Sequence, residues 1–182
     1  MPTTQEKLLD VAESAMRTRG YNAVSFRDLA DALGIKSASV HYHFPQKEDL
    51  GLALVERYAT RFFAALGARS ESAATPEQRM DAYCETYRAA LTGSKSLCLC
   101  GLLGAEINSL PKDLAGAVAA YFQDNIDWVT EALGPDGSKQ ARHRKAVLAV
   151  SSLQGAMMLA ISMRDESLFD AAAQQLRASL VT

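Results

Sequence analysis

Cysteine is scarce and odd in number: the chain has only Cys84, Cys98 and Cys100. Their spacing offers no disulfide framework and fits a reducing compartment. Cys98-x-Cys100 is also not the Cys-x-x-Cys spacing of dithiol oxidoreductases. Alternation of apolar and polar residues never runs far enough to mark a strand, and no internal repeat is visible, so sheet folds and solenoids are excluded. The chain has no nucleophile elbow, phosphate loop or zinc-protease motif, so no catalytic residue is assigned and no enzyme is expected. No cofactor is expected either. No stretch approaches the roughly 20 apolar residues that span a bilayer, and the segment Met1–Lys7 lacks the apolar core of a signal peptide. These absences predict a cytoplasmic protein without a membrane partner. Excess positive charge is missing too: 19 Lys and Arg stand against 21 Asp and Glu, a net charge of −2. That excludes a protein that coats nucleic acid indiscriminately, but not a specific binder whose basic residues cluster on one face.

What is present is helix. Of the 182 residues, 48% are apolar, enough for a sizeable core. The most informative stretch is Ser25 to Leu50. Ser25 can cap a helix, and Asp28, three residues on, suits its positive end. Phe26, Leu29, Ala30 and Leu33 recur at helical spacing. Gly34 supplies the left-handed residue that ends the helix, and Ile35 can plug the turn. A second short helix, at about 36–43, follows and closes at Phe44-Pro45. Two short helices around a tight turn form a helix-turn-helix, which presents its second helix to the DNA major groove. Ser37, Ser39 and Tyr42 are short or polar enough to meet base edges, and the Ala38 methyl can touch a thymine methyl. Arg27, Lys36, His41 and Lys47 suit phosphates, which fix position rather than sequence. Ser25 and His43 complete the candidate DNA-binding set. His41 and His43 are two apart on a helix and diverge, so no metal site is expected.

The run from Gly34 to Leu50 resembles the DNA-binding signature of the TetR family of bacterial transcriptional regulators. Gly34, Ile35, Val40, His43, Phe44, Lys47, Glu48 and Leu50 match that pattern; His41 stands where the family usually has Tyr, and Ala38 where it often has Gly. The resemblance implies that Lys47 and the start of the following helix clamp a phosphate, and that His43 supports the turn. It implies an all-α protein, with a DNA-binding domain over 4–64 and a carboxyl-terminal ligand-binding and dimerisation domain over 75–182. It further implies a homodimer formed through the last two helices. Such a dimer carries two reading heads for a near-palindromic double-stranded DNA operator. A repressor released by a small-molecule effector is the function expected.

The rest of the chain reads as further helices. Thr4 is expected to cap the first, which presents Leu8, Leu9, Ala12, Ala15 and Met16 on one face, with Lys7, Arg17 and Arg19 solvated. A fourth runs from Gln46 to about Leu66, followed by a loop over 67–75. Thr75, Pro76 and Gln78 open a fifth with a capping box. Residues 97–110 predict one short helix, with Gly101 and Gly104 allowing close approach of helices or opening room for a ligand. After Pro111 a stripe from Leu114 to Leu133 follows, then the turn Gly134-Pro135-Asp136-Gly137. A long helix over 138–163 is expected to bury Val147, Val150, Leu153, Ala156, Met157 and Ile161. The last spans 167–180. His143 is expected to be solvated.

Met80, Tyr83, Cys84, Tyr87, Cys98, Tyr121, Phe122, Trp128, Met157 and Met158 are the candidates for an adaptable apolar ligand pocket. The absence of clustered Arg or Lys there points to a largely apolar effector. The alternative is a thiol-based redox or electrophile sensor using Cys98 or its neighbours, since Cys98 stands near a helix start.

Overall fold

The computed structural model describes residues 2–180, so 181–182 of the expected carboxyl-terminal domain lie outside it. Among the described residues there are nine α-helices, one 3-10 turn and no strand: the fold is all-α. The helices are α1 (Thr4–Arg19), α2 (Phe26–Leu33), α3 (Ser37–His43), α4 (Lys47–Ser70), α5 (Pro76–Ser94), α6 (Leu99–Ala105), α7 (Lys112–Ala132), α8 (Lys139–Met163) and α9 (Ser167–Leu180). The 3-10 turn, Ile107–Ser109, follows α6. The chain forms two compact units, one of residues 1–59 and 99–120, the other of 60–98 and 121–182.

In the first unit α1 packs on α2 and α6, and α2 packs on α3. Leu8, Ala12 and Met16 of α1, Leu29 and Ala30 of α2, Val40 of α3 and Leu50 and Leu54 of α4 are buried, with Tyr21, Val24 and Phe44 from the connections. The cap of α1 is Thr3, not Thr4. Thr3 Oγ1 accepts from the Glu6 N–H at 3.2 Å, and Glu6 Oε2 accepts in return from the Thr3 N–H at 2.6 Å. Only Thr3 has a carboxylate three residues on; the same step from Thr4 reaches Lys7. Arg17, expected in solvent, is instead largely covered. It pairs with Glu13 at 3.0 Å and lies 5.3 Å above the Tyr58 ring, because its long apolar stem follows the helix surface. Arg57 of α4 joins this network through Asp10 at 2.7 Å and Glu13 at 2.9 Å.

In the second unit α9 packs along α8 and α5. Arg88 reaches Glu166 at 3.3 Å and Asp170 at 2.8 Å, and Arg177 reaches Asp81 at 3.4 Å, stapling α5 to α9. α4 runs on to Ser70, beyond the expected loop start, because Ala68 and Arg69 favour helix and no proline interrupts. The helix expected over 97–110 breaks at Glu106, where φ is −97° and ψ 9°, before the 3-10 turn. The buried side of α8 is Ala146, Ala149, Val150, Leu153, Ala156, Met157 and Ala160. Val147 was expected inside and is 43% exposed. The inward stripe is made chiefly of alanines, whose small size lets α9 approach, so the larger residues do not reveal it.

α8 also corrects the expectation about long apolar runs. An 18-residue window of it has mean hydropathy 1.7, long and apolar enough by length and composition to cross a membrane. Core helices of globular proteins share that composition, and here the apolar residues fall on both sides of the helix.

Candidate nucleic-acid interface

The site is built by α2, a three-residue link and α3. Ser25 Oγ accepts from the Asp28 N–H at 3.2 Å, while Asp28 Oδ2 accepts from the Ser25 N–H at 2.9 Å. The Ser25 N–H first, and then the Ser25 hydroxyl, which donates to the same oxygen at 2.9 Å, hold the Asp28 carboxyl below its ordinary value. They also fix where α2 begins, as its sequence requires. Gly34 ends α2 at φ 65°, ψ 33°, the left-handed conformation that glycine adopts without steric cost. The Ile35 N–H then donates to the Ala30 carbonyl at 3.0 Å, closing the turn.

α3 has seven residues and buries only Val40. Ser37, Ala38, His41 and Tyr42 are exposed, Ser39 and His43 half-buried, and Tyr42 stands 84% exposed. The structure therefore gathers these candidates on one short helix anchored by a single side chain. Lys36 precedes the helix and Arg27 stands on α2, both exposed. His41 is partly tied to the scaffold. Its Nδ1 lies 3.4 Å from the Pro45 carbonyl oxygen, and its ring meets the edge of Phe26 at 4.8 Å. His43 meets Tyr42 edge-on at 5.2 Å.

Lys47 opens α4, half-buried, and lays its ammonium on the link between α1 and α2. Nζ donates to the Asn22 carbonyl at 3.2 Å and sits 4.5 Å from the centre of the Tyr21 ring. Burial lowers its pKa, opposed by the nearby anions Glu106 and Asp28. The Gly20–Asn22 connector as a partner of Lys47 was invisible in the sequence, where 25 residues separate Asn22 from Lys47.

The second unit holds the other candidate set. Asn125 is fully buried, and its Oδ1 accepts from the Tyr83 hydroxyl at 2.9 Å and the Tyr87 hydroxyl at 3.4 Å. Its Nδ2 donates to the Tyr121 carbonyl at 2.8 Å, and Gln154 Nε2 donates to the Tyr87 oxygen at 3.2 Å. Phe62 meets Tyr87 edge-on at 5.1 Å, Tyr83 stacks on Trp128 at 5.5 Å, and Phe122 meets Tyr121 at 5.5 Å. Cys98 Sγ lies 3.9 Å from the Tyr121 hydroxyl. Burial raises the pKa of both Tyr83 and Tyr87, keeping the phenols protonated. Trp128 also lines a groove of about 290 Å³ with Ser70, Arg79, Glu131 and Ala132.

Met80, Cys84 and Met157 are buried in this unit, but Met158 is 51% exposed and belongs to the outer side of α8. One step along a helix turns a side chain by roughly 100°, which separates neighbouring Met157 from Met158. Asn125, Gln154 and Phe62 were missed as members of this cluster. For Asn125 a signal existed: it stands four residues after Tyr121, a polar residue on an apolar stripe. Burial pushes the Cys84 thiol up to about 11. Among the described residues no cluster of three or more His, Cys, Asp or Glu could hold a metal.

Residues 8–54 match the family model of bacterial regulatory proteins, tetR family, and residues 76–175 that of the C-terminal domain of LmrA/YxaF-like transcriptional regulators. An uncharacterised HTH-type transcriptional regulator of Mycobacterium tuberculosis is 26% identical over 185 residues, covering 97% of this chain and 94% of that one. The transcriptional regulator AcuR of Cereibacter sphaeroides is 28% identical over 121 residues, 65% of this chain. That match spans 55% of AcuR, about half its length. The crystal structure of a TetR transcriptional regulator from Legionella pneumophila superposes with a TM-score of 0.89 at 29% identity, covering 98% of both chains.

Proposed function

This chain belongs to the TetR family of DNA-binding transcriptional regulators, and from that premise we propose that it is a repressor released from its operator by a small, largely apolar effector. Its family works by binding DNA rather than by catalysis. The observation that carries the reading is α3: six of its seven residues lie at least partly open, including a tyrosine 84% exposed, with one valine as anchor. A large aromatic standing in water on so short a helix suits a partner surface, and the major groove accepts a helix. In this reading residues 4–64 carry DNA binding, residues 75–182 carry the effector and the partner copy, and the protein acts in the cytoplasm.

Two substitutions separate the roles within the head. Tyr42→Ala is expected to change base preference in a selection from randomised duplexes. Lys47→Ala is expected to weaken binding to every sequence and to reduce the salt slope by about 1. An unchanged slope would remove Lys47 from the phosphate contacts.

The aromatic cluster around Asn125 is the proposed effector site. Its side chains are mostly apolar, with phenol and amide groups to orient a ligand. An effector releases DNA only through its difference in affinity for the two states; a coupling of about 1–3 kcal/mol gives roughly 5–150-fold. The thiol-sensor alternative would need reactive cysteines, yet all three are buried and the Cys84 thiol is held protonated at neutral pH. Replacing Cys84, Cys98 and Cys100 together by Ser is expected to leave DNA binding insensitive to peroxide and diamide, as in the parent. If the parent loses DNA on oxidation and the variant does not, the thiol reading replaces the apolar-effector one.

A further inference from the structure

We propose that Glu106 is a positioning residue for DNA binding: it clamps the Gly20–Asn22 connector and thereby sets where the Lys47 ammonium stands. This rests on the reading of Lys47 as a phosphate contact. The connector leaves α1 at Gly20, and the Tyr21 N–H is given to Glu106 Oε2 at 3.0 Å, across 85 residues of sequence. Next to it, Asn22 Nδ2 donates to Ser109 Oγ at 2.8 Å. Glu106 and Ser109 are themselves joined, since the Glu106 carbonyl accepts from the Ser109 N–H at 2.8 Å and from its hydroxyl at 2.9 Å. One rigid turn thus holds two successive residues of the connector. Gly20 has φ 84°, and a Cβ there would collide with Glu106 Oε1, so the absent side chain is what lets the carboxylate reach the backbone.

Lys47 takes the same two residues: its ammonium donates to the Asn22 carbonyl and lies against the Tyr21 ring. Each of Tyr21 and Asn22 is therefore held once from the 106–109 turn and once by Lys47. The Glu106 charge also attracts Lys47. A displacement of the turn reaches the head of α4 through two residues, without passing through α3. The break in the helix at Glu106 acquires a purpose in this arrangement, because the carboxylate serves the connector.

The test titrates the full-length protein with a duplex selected by the parent from a randomised library, over a range of salt. Glu106→Ala is expected to weaken binding roughly ten-fold, the scale of one lost charge-assisted hydrogen bond, and to lower the salt slope toward the Lys47→Ala value. Glu106→Gln keeps an oxygen for the Tyr21 N–H and is expected to recover most of the loss. Hydrogen exchange at the Tyr21 amide should quicken in Glu106→Ala and stay slow in Glu106→Gln. This comparison also guards against a folding defect in the alanine variant. In a Lys47→Ala background, Glu106→Ala should add little, because the route is already cut. Additive losses, or an unchanged affinity and slope in Glu106→Ala, overturn the proposal. An unchanged slope in Lys47→Ala alone overturns the phosphate reading and this inference with it, and is recognised without any change at Glu106.

Discussion

Leu159→Glu is expected to turn the protein into a monomer and to weaken operator binding by about 100-fold or more, the scale on which linked binding sites exceed a single one. The side of α8 opposite its packed stripe carries Leu148, Met158, Leu159 and Met163 at 53%, 51%, 54% and 64% exposure. Ser151 and Gly155 lie on that side too, also exposed, and nothing stands within 4 Å of where a Gly155 Cβ would be. A helix apolar all round is stable in water when both sides are covered. The proposed cover is the same helix pair of a second copy. In a two-fold interface each substitution occurs twice, so the two glutamates would lose water without gaining a partner. Each head alone would then meet one half-site, losing the advantage of its tethered twin. Sedimentation equilibrium reads the assembly and a duplex titration reads the binding. A Leu159→Glu protein that remains dimeric would move the interface elsewhere.

Asn125→Ala is expected to be the most destabilising change in the second unit. Asn125 accepts from the hydroxyls of Tyr83 and Tyr87 and donates to the Tyr121 carbonyl, all in a buried setting. Alanine would leave two buried phenols without that acceptor and would open a small cavity. Together these cost about 2–4 kcal/mol, which lowers the melting temperature by roughly 5–15 °C in a chain of this size. Tyr83→Phe removes one hydroxyl from the same junction and leaves Asn125 in place, and should cost about 1 kcal/mol. Thermal unfolding at matched protein concentration ranks the two, since a dimer's midpoint depends on concentration. If Asn125→Ala melts no lower than Tyr83→Phe, Asn125 is not the junction of the cluster. The same substitution would alter any effector response, because the residue orders the aromatic rings around it.

The amino-acid order alone determined whatever depends on neighbours a few residues away. The capping boxes at Ser25 and Thr75, the left-handed stop at Gly34 and the open face of α3 all follow from hydrogen bonds and helical periods that reach three or four residues. The family signature lies in that same local code, which is why the reading head was legible. Three features were decided only by tertiary structure. α8 has apolar residues on both sides, so its composition could not say that Ala146 and Ala149 face inward while Leu148 and Leu159 face out. Asn125 stands 42 residues from Tyr83, and Glu106 stands 85 from Tyr21. No periodicity links residues so far apart; only the packing of helices brings an acceptor to a donor that its own helix cannot satisfy.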